Sequence, residues 1–297
     1  MCDEFTEKDN DDFERKGGSL NRRDFSKLSL SAIVTLCYGG LANASALFDG
    51  ELVESDVSIT MADGVSDAFF VHPKEGKHPG VLMWPDIRGL RPAFKAMAKR
   101  LAAEGYAVLV VNQFYRDAKA PITAEGEQFS DPAVRARIMP MYRNLDHAAS
   151  MSDARDYITF LDQQPAVDTS RKIGTAGYCM GGPLIVRTAG AVPERVGAAA
   201  SFHGGGMVTD KPDSPHLLIP TSKAHVLHAI AENDDERNPT VKGDLAKAYE
   251  AAGTPAEIEV YKGTLHGWCP PDSRVYNEAQ AEKAWARMLA LFNTALA

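Results

Sequence analysis

The sequence predicts an α/β architecture, a mostly parallel central sheet with helices on both faces. Three observations predict it. Apolar runs of strand length alternate with stretches of helical apolar spacing along most of the chain. A glycine-flanked turn, Gly177-Tyr178-Cys179-Met180-Gly181-Gly182, joins one apolar run directly to the next. Three side chains capable of chemistry, Cys179, Asp234 and His266, each fall at the carboxyl end of a predicted strand or in the loop after it, the edge where open parallel sheets carry their sites.

Taken in order, residues 51–60 and 68–72 read as edge strands around the Asp63-Gly64 turn, and 81–84 as a buried central strand. Phe94, Met97, Ala98 and Leu101 recur at helical spacing within 93–104, Gly105 ends that helix, and 107–111 forms the next strand. Residues 115–144 hold Pro121, Pro132, Pro140 and many charges without a clear period. They are expected to pass over the mouth of the site, with a short helix at 131–139. Helical spacing returns over 145–163, and the strand 172–177 leads into the turn at Cys179. Beyond it lie strands at 197–202, 225–231 and 257–261, a Gly/Pro/Asp-rich loop at 204–215, and helices at 240–252 and 277–296. No internal repeat or linker divides this body.

Hydrophobic residues make up 44% of the chain and charged residues 24%, with a formal net charge of −8. An acidic balance with no basic cluster in the body argues against nucleic acid as a partner, because phosphate binding needs concentrated Lys and Arg. Residues 1–46 stand apart from the single domain expected at 47–297. Asn21-Arg22-Arg23-Asp24-Phe25-Ser26-Lys27 precedes a modest apolar stretch at 28–41 and then Ala42-Asn43-Ala44-Ser45-Ala46. That order reads as a twin-arginine export signal, cleaved after Ala44 or Ala46, with the twin-arginine translocase as a partner in transit. The expected destination is outside the cytoplasm, the periplasm in a Gram-negative host. Spanning hydrocarbon takes ~20 apolar residues, so this shorter segment, rich in Ser, Gly and Thr, is not expected to be a stable anchor. The acidic stretch from Asp3 to Glu14 reads as a solvated, disordered extension.

The turn around Cys179 has the form of a nucleophile elbow with cysteine in the usual serine position. Its central residue is held in a strained conformation, and side chains two positions either side would collide with neighbouring backbone, a need that Gly177 and Gly181 meet. At a helix N-terminus, unpaired amides and the helix dipole favour thiolate over thiol. The plainer alternative is a tight turn carrying an inert buried cysteine. Nucleophile, then acid, then histidine is the chain order of an α/β-hydrolase, with Asp234 the preferred acid and Asp235 a substitute. Cys2 and Cys37 fall in the signal, which leaves Cys179 and Cys269. A disulfide between those two, or a redox lock on the nucleophile, is the rival reading. No Cys/His spacing suggests zinc, and no metal or cofactor is implied.

These pieces together resemble the dienelactone hydrolase family, cysteine-dependent α/β-hydrolases that open enol-lactones and related esters. The matching stretches are Pro85-Asp86-Ile87-Arg88-Gly89-Leu90, Gln113-Phe114-Tyr115-Arg116, the cysteine elbow, Ser201-Phe202-His203-Gly204-Gly205, Glu232-Asn233-Asp234 and Leu265-His266-Gly267, spanning residues 81–268. The resemblance implies a Cys179–Asp234–His266 triad, an oxyanion hole from the Ile87 and Met180 amides, and Arg116 gripping an anionic substrate. It implies a small-molecule ester or lactone as substrate, with a monomeric enzyme expected. Family members typically carry glutamate where this chain has Asp86, a carboxylate implicated in handling the resting thiol, and often an arginine, used to grip a substrate carboxylate, four residues beyond the histidine where this chain has Pro270.

Other candidates carry two readings each. His203, following a predicted central strand, either contacts substrate or holds the glycine loop. Arg88 and Arg91 read better as solvated surface residues than as carboxylate ligands, and the remaining histidines as surface or structural. Tyr115 and Trp268 are candidates for an apolar wall against an unsaturated substrate. Alternatives to ester hydrolysis are a thioesterase or peptidase on the same scaffold, and an exported non-catalytic binding protein with a redox-responsive thiol.

Overall fold

In the computed structural model, which describes residues 4–15 and 50–297, the apolar runs pair into one eight-stranded sheet of order β1-β2-β4-β3-β5-β6-β7-β8. The strands are β1 (Leu52–Met61), β2 (Gly64–Pro73), β3 (Gly80–Trp84), β4 (Ala107–Val111), β5 (Ile173–Tyr178), β6 (Val196–Phe202), β7 (His225–Ala231) and β8 (Ala256–Tyr261). β2 runs antiparallel to both β1 and β4, and every other neighbouring pair is parallel. The first two strands form a hairpin whose Met61↔Gly64 register leaves Ala62 and Asp63 as the turn. Gly64 takes φ +144° there, a region that side chains rarely enter.

The helices are α1 (Glu4–Arg15), α2 (Pro92–Ala103), α3 (Pro132–Asn144), α4 (His147–Asp162), α5 (Gly181–Ala191), α6 (Glu232–Arg237), α7 (Val241–Ala252) and α8 (Glu278–Ala295). Because strand side chains alternate faces, β3 and β4 can be apolar throughout only if both faces are covered. They are. Leu82, Trp84, Leu109 and Val111 pack toward α4, α5 and α7, whereas Val81, Met83, Val108 and Val110 pack toward α2 and α8. Full burial of each such side chain contributes about 1.5–3 kcal/mol, so these two cores hold the sheet.

Four local readings change. The strand expected at 68–72 is not an edge: as β2 it lies between β1 and β4, and only β1 of that hairpin is left at the sheet's edge. The helix expected at 131–139 runs to Asn144, through Pro140. Pro132 occupies the first turn, where its missing N–H is harmless, and Asp131 caps the helix through Ala133 N at 2.8 Å. Burial of Val134 and Ile138 outweighs the one bond lost at Pro140. A 3₁₀ turn at Pro215–Thr221 and the six-residue α6 were not anticipated. The acidic stretch is α1, a helix in contact with the domain rather than a solvated disordered extension. The twin arginines, the apolar segment and the cleavage region lie outside the described residues. Among the described residues no helix is long and apolar enough to cross a membrane.

The sheet order places the site. The chain moves from β3 outward to β4, then returns across β3 to β5, so the loops after β3 and β5 diverge from a topological switch point. Cys179 stands at that point.

Candidate active site

Cys179 adopts φ +55°, unusual for a residue with a side chain, between the end of β5 and the start of α5. Its N–H donates to Phe202 O at 3.0 Å and its carbonyl accepts from Gly182 N at 3.0 Å, which hold the turn. The flanking glycines are sterically required. A Cβ on Gly177 would lie 2.0 Å from Gly181 O, and one on Gly181 would lie 2.5 Å from Trp84 O. The turn therefore presses against the end of β3, and Cys179 is 2% exposed.

Two loops bring the acid and the imidazole together. His266 Nδ1 lies 2.7 Å from Asp234 Oδ2, while Asp235 turns to Lys242 Nζ at 2.6 Å. Asn233, which the sequence reading did not single out, accepts the His266 backbone N–H at 2.9 Å. Glu232 adds two more ties, accepting Gly263 N–H at 2.9 Å and pairing with Lys262 Nζ at 2.9 Å. Three consecutive residues at the start of α6, Glu232, Asn233 and Asp234, thus tie the end of β7 to the loop after β8. Burial works against charge on His266, but Asp234 and then the Cys179 sulfur outweigh it and push the imidazole up to about 10. Nε2, on the ring edge opposite Asp234, is buried, and the Cys179 sulfur is close enough to act on the ring. A recess beside Asp234 is lined by Gly205, Gly206, Met207 and Arg237.

The loop after β3 carries Ile87. Gln113 Nε2 donates to Asp86 O at 2.8 Å and approaches the Met180 sulfur at 3.9 Å, so one buried amide joins this loop to the elbow. Gln113 stood in a matched motif with no role assigned to it. Among the described residues, neither the Ile87 nor the Met180 amide donates to a backbone or side-chain acceptor. The Asp86 carboxylate accepts from Arg91 Nη1 at 2.6 Å and Nη2 at 2.8 Å and from the Arg88 N–H at 2.9 Å. Arg91 also grips Asp272, at 2.7 and 2.9 Å, with its guanidinium 4.8 Å over the Phe94 ring. The sequence reading of Arg91 as a surface residue is corrected: it is buried, and its burial is made possible by two carboxylates. Arg88 meets the same Asp272 at 3.2 Å.

Arg116 is held in a second cluster. Its guanidinium bonds Asp153 at 2.7 Å twice and Asp63 at 2.7 and 3.0 Å, while Tyr115 OH donates to Asp153 at 2.9 Å. Asp153 is raised by burial despite both partners. Trp268 is fully buried, stacked on Tyr261 and 5.2 Å from the His203 ring. His203 in turn lies edge-on to His266 at 5.2 Å, with φ +41°. Among the described residues neither of its ring nitrogens has a hydrogen-bond partner, and burial, with His266 beside it, drives its basicity well down. His203 is therefore a neutral ring wedged behind the catalytic candidate, and its ring does not tie down the glycine loop. No disulfide joins Cys179 to Cys269, which lie in cores on opposite faces of the sheet. Burial raises the Cys269 thiol well above its ordinary value. Among the described residues no group of three or more His, Cys, Asp or Glu side chains is placed to hold a metal ion.

A sequence model of the dienelactone hydrolase family matches residues 66–296. The chain belongs to the dienelactone hydrolase family. Protein usf of Aquifex pyrophilus is 26% identical over 249 residues, 82% of this chain and 97% of that protein. A candidate carboxymethylenebutenolidase of Methylorubrum extorquens is 26% identical over 277 residues, 91% of each chain. Among solved structures, a candidate dienelactone hydrolase from Klebsiella pneumoniae superposes with a TM-score of 0.71 at 21% identity, covering 82% of this chain and 99% of that one. The fold is the family's α/β-hydrolase fold, and the relatives imply a hydrolase acting on a small molecule.

Proposed function

We propose that this protein hydrolyses a carboxylic ester or lactone through a thioester formed on Cys179. The observation that carries the reading is the 2.7 Å Asp234–His266 contact made at Nδ1, which leaves Nε2 as the proton-accepting edge of a ring on which the elbow's Cys179 also acts. Asp234 fixes the tautomer and stabilises the imidazolium. The sulfur attacks the carbonyl carbon, and the carbonyl oxygen takes up charge between the Ile87 and Met180 amides. Collapse of that adduct expels the alkoxide or enolate, which leaves with the proton of the imidazolium. Water then attacks the thioester, giving its proton to His266, and the carboxylic acid departs as the thiolate returns.

Arg116 is committed to Asp63 and Asp153, and Asp86 to Arg91, so this reading asks neither to bind substrate. Export by the twin-arginine route is part of the proposal, supported by Arg22-Arg23 and the apolar stretch after them.

Turnover of 4-nitrophenyl acetate by the wild type and by Cys179→Ala tests the reading. The variant is expected to lose at least about 10³-fold in kcat. Equal rates at background for both would end the enzyme assignment, and activity surviving in the variant would end the cysteine's role.

A further inference from the structure

The acidic helix α1 is seated on the rim of the candidate site. Residues 4–15 carry six acidic and two basic side chains. Asp9 accepts from Asn233 Nδ2 at 2.9 Å and from Arg237 Nη2, and Asp11 accepts from Arg274 Nη1 at 2.7 Å. Asn10, between them, is buried.

All three anchors belong to the loops that carry the acid and the imidazole. Asn233 precedes Asp234, and its Oδ1 holds the His266 backbone N–H while its Nδ2 holds the helix. Arg237 reaches Asp9 with one nitrogen and stands 4.0 Å from Asp234 with the other. Arg274 lies in the loop that leaves His266 for α8. One amide side chain therefore links the acidic helix to the imidazole's own backbone. With the helix in place Cys179 and His266 are each 2% exposed.

We propose that residues 4–15 are a detachable acidic cap: Asn233, Arg237 and Arg274 form a docking surface for an acidic peptide, occupied in the full-length chain by this helix, and its presence holds down access to Cys179. Charge complementarity selects the occupant. A helix of 12 residues is marginal in water by itself, so it depends on the surface that pairs its carboxylates. Partly exposed ion pairs hold a separate peptide weakly, whereas a tethered one acts at an effective concentration of about millimolar order. Cutting the chain between the helix and the domain, as export processing would, converts the second case into the first and releases the cap. The inference rests on the hydrolase reading only for its turnover readout.

The test compares the full-length wild type with full-length Asp9→Asn/Asp11→Asn. Two rates are read, iodoacetamide labelling of Cys179 mapped by mass spectrometry, and turnover of 4-nitrophenyl acetate. Both are expected to rise about three- to tenfold in the variant, and 0.5 M salt, by screening the ion pairs, is expected to bring the wild type toward the variant. Asp11→Arg alone is expected to open the cap, and adding Arg274→Asp to restore the closed rates, since the pair is remade with charges exchanged. Equal labelling of wild type and double variant overturns the cap, as does failure of the exchanged pair to restore. Faster labelling without ester turnover in any form sustains the cap and removes the hydrolase reading instead.

Discussion

The loops on the two sides of the Cys179 elbow use charge in opposite ways. On the β7–β8 side, Asp234 faces an imidazole, and its neighbours Glu232 and Asn233 hold the opposing loop in place. On the β3–β4 side, Arg91 is enclosed by Asp86 and Asp272, and Arg116 by Asp63 and Asp153. The first arrangement keeps a charge next to the imidazole that the proposed reaction protonates and deprotonates; the second neutralises its charges within the fold. A charged residue in a family motif is thus available to a substrate only if the folded chain has left it without an internal partner.

The largest expected effect separates the two adjacent acids on the first side. Asp234→Asn removes the acceptor that fixes the His266 tautomer and is expected to lower kcat on an activated ester by about 10³–10⁴-fold. Asp235→Asn, which disturbs only the Lys242 pair, is expected to stay within about twofold. Steady-state kinetics on both variants decide it, and comparable losses would mean that the acid is shared.

The second side is tested through stability. Arg91→Met leaves Asp86 and Asp272 facing each other without a cation, and breaking a buried pair of this kind costs about 3–5 kcal/mol. Arg116→Met should cost less, about 1–3 kcal/mol, because Tyr115 OH still donates to the buried Asp153 and Asp63 is half exposed. Urea unfolding midpoints at constant m-value would show the order. A larger loss for Arg116 would reverse the assignment of the tighter cluster.

Much of this could be read from the chain, for identifiable reasons. Strands such as 107–111 and 225–231 are short apolar runs bounded by turn residues, and each was placed where the sheet has it. The elbow was legible because its glycines answer a local steric demand. What escaped was non-local or short. Arg91 reads as surface because Asp272 is 181 positions away, and no local pattern announces that pairing. Asn233 and Gln113 act through backbone groups of loops 33 and 27 positions distant, so their residue type alone gives no signal. Helix α6 consists of Glu-Asn-Asp-Asp-Glu-Arg, with no apolar face to betray it, and α1 pairs its carboxylates with arginines more than 200 positions away.

The smallest effect sharpens the same contrast within two buried histidines. His228, on β7, shares a hydrogen bond of 2.9 Å with Tyr249 OH, and burial lowers it to about 4. His266 is raised to about 10 by Asp234 and Cys179 acting against burial. The unfolded chain titrates both near 6.5. For His228 the folded value lies below the unfolded one, so its contribution is present above about pH 6.5 and is lost as pH falls through about 4, a change of at most about 3 kcal/mol. For His266 the folded value lies above, so its contribution is full below about pH 6.5 and is lost as pH rises toward about 10. Thermal midpoints measured across pH should therefore lose their acid-side decline in His228→Gln, which keeps a group able to bond Tyr249, and their alkaline-side decline in His266→Gln. If both variants flattened the same limb, one of the two rings would carry the opposite charge to the one its neighbours dictate.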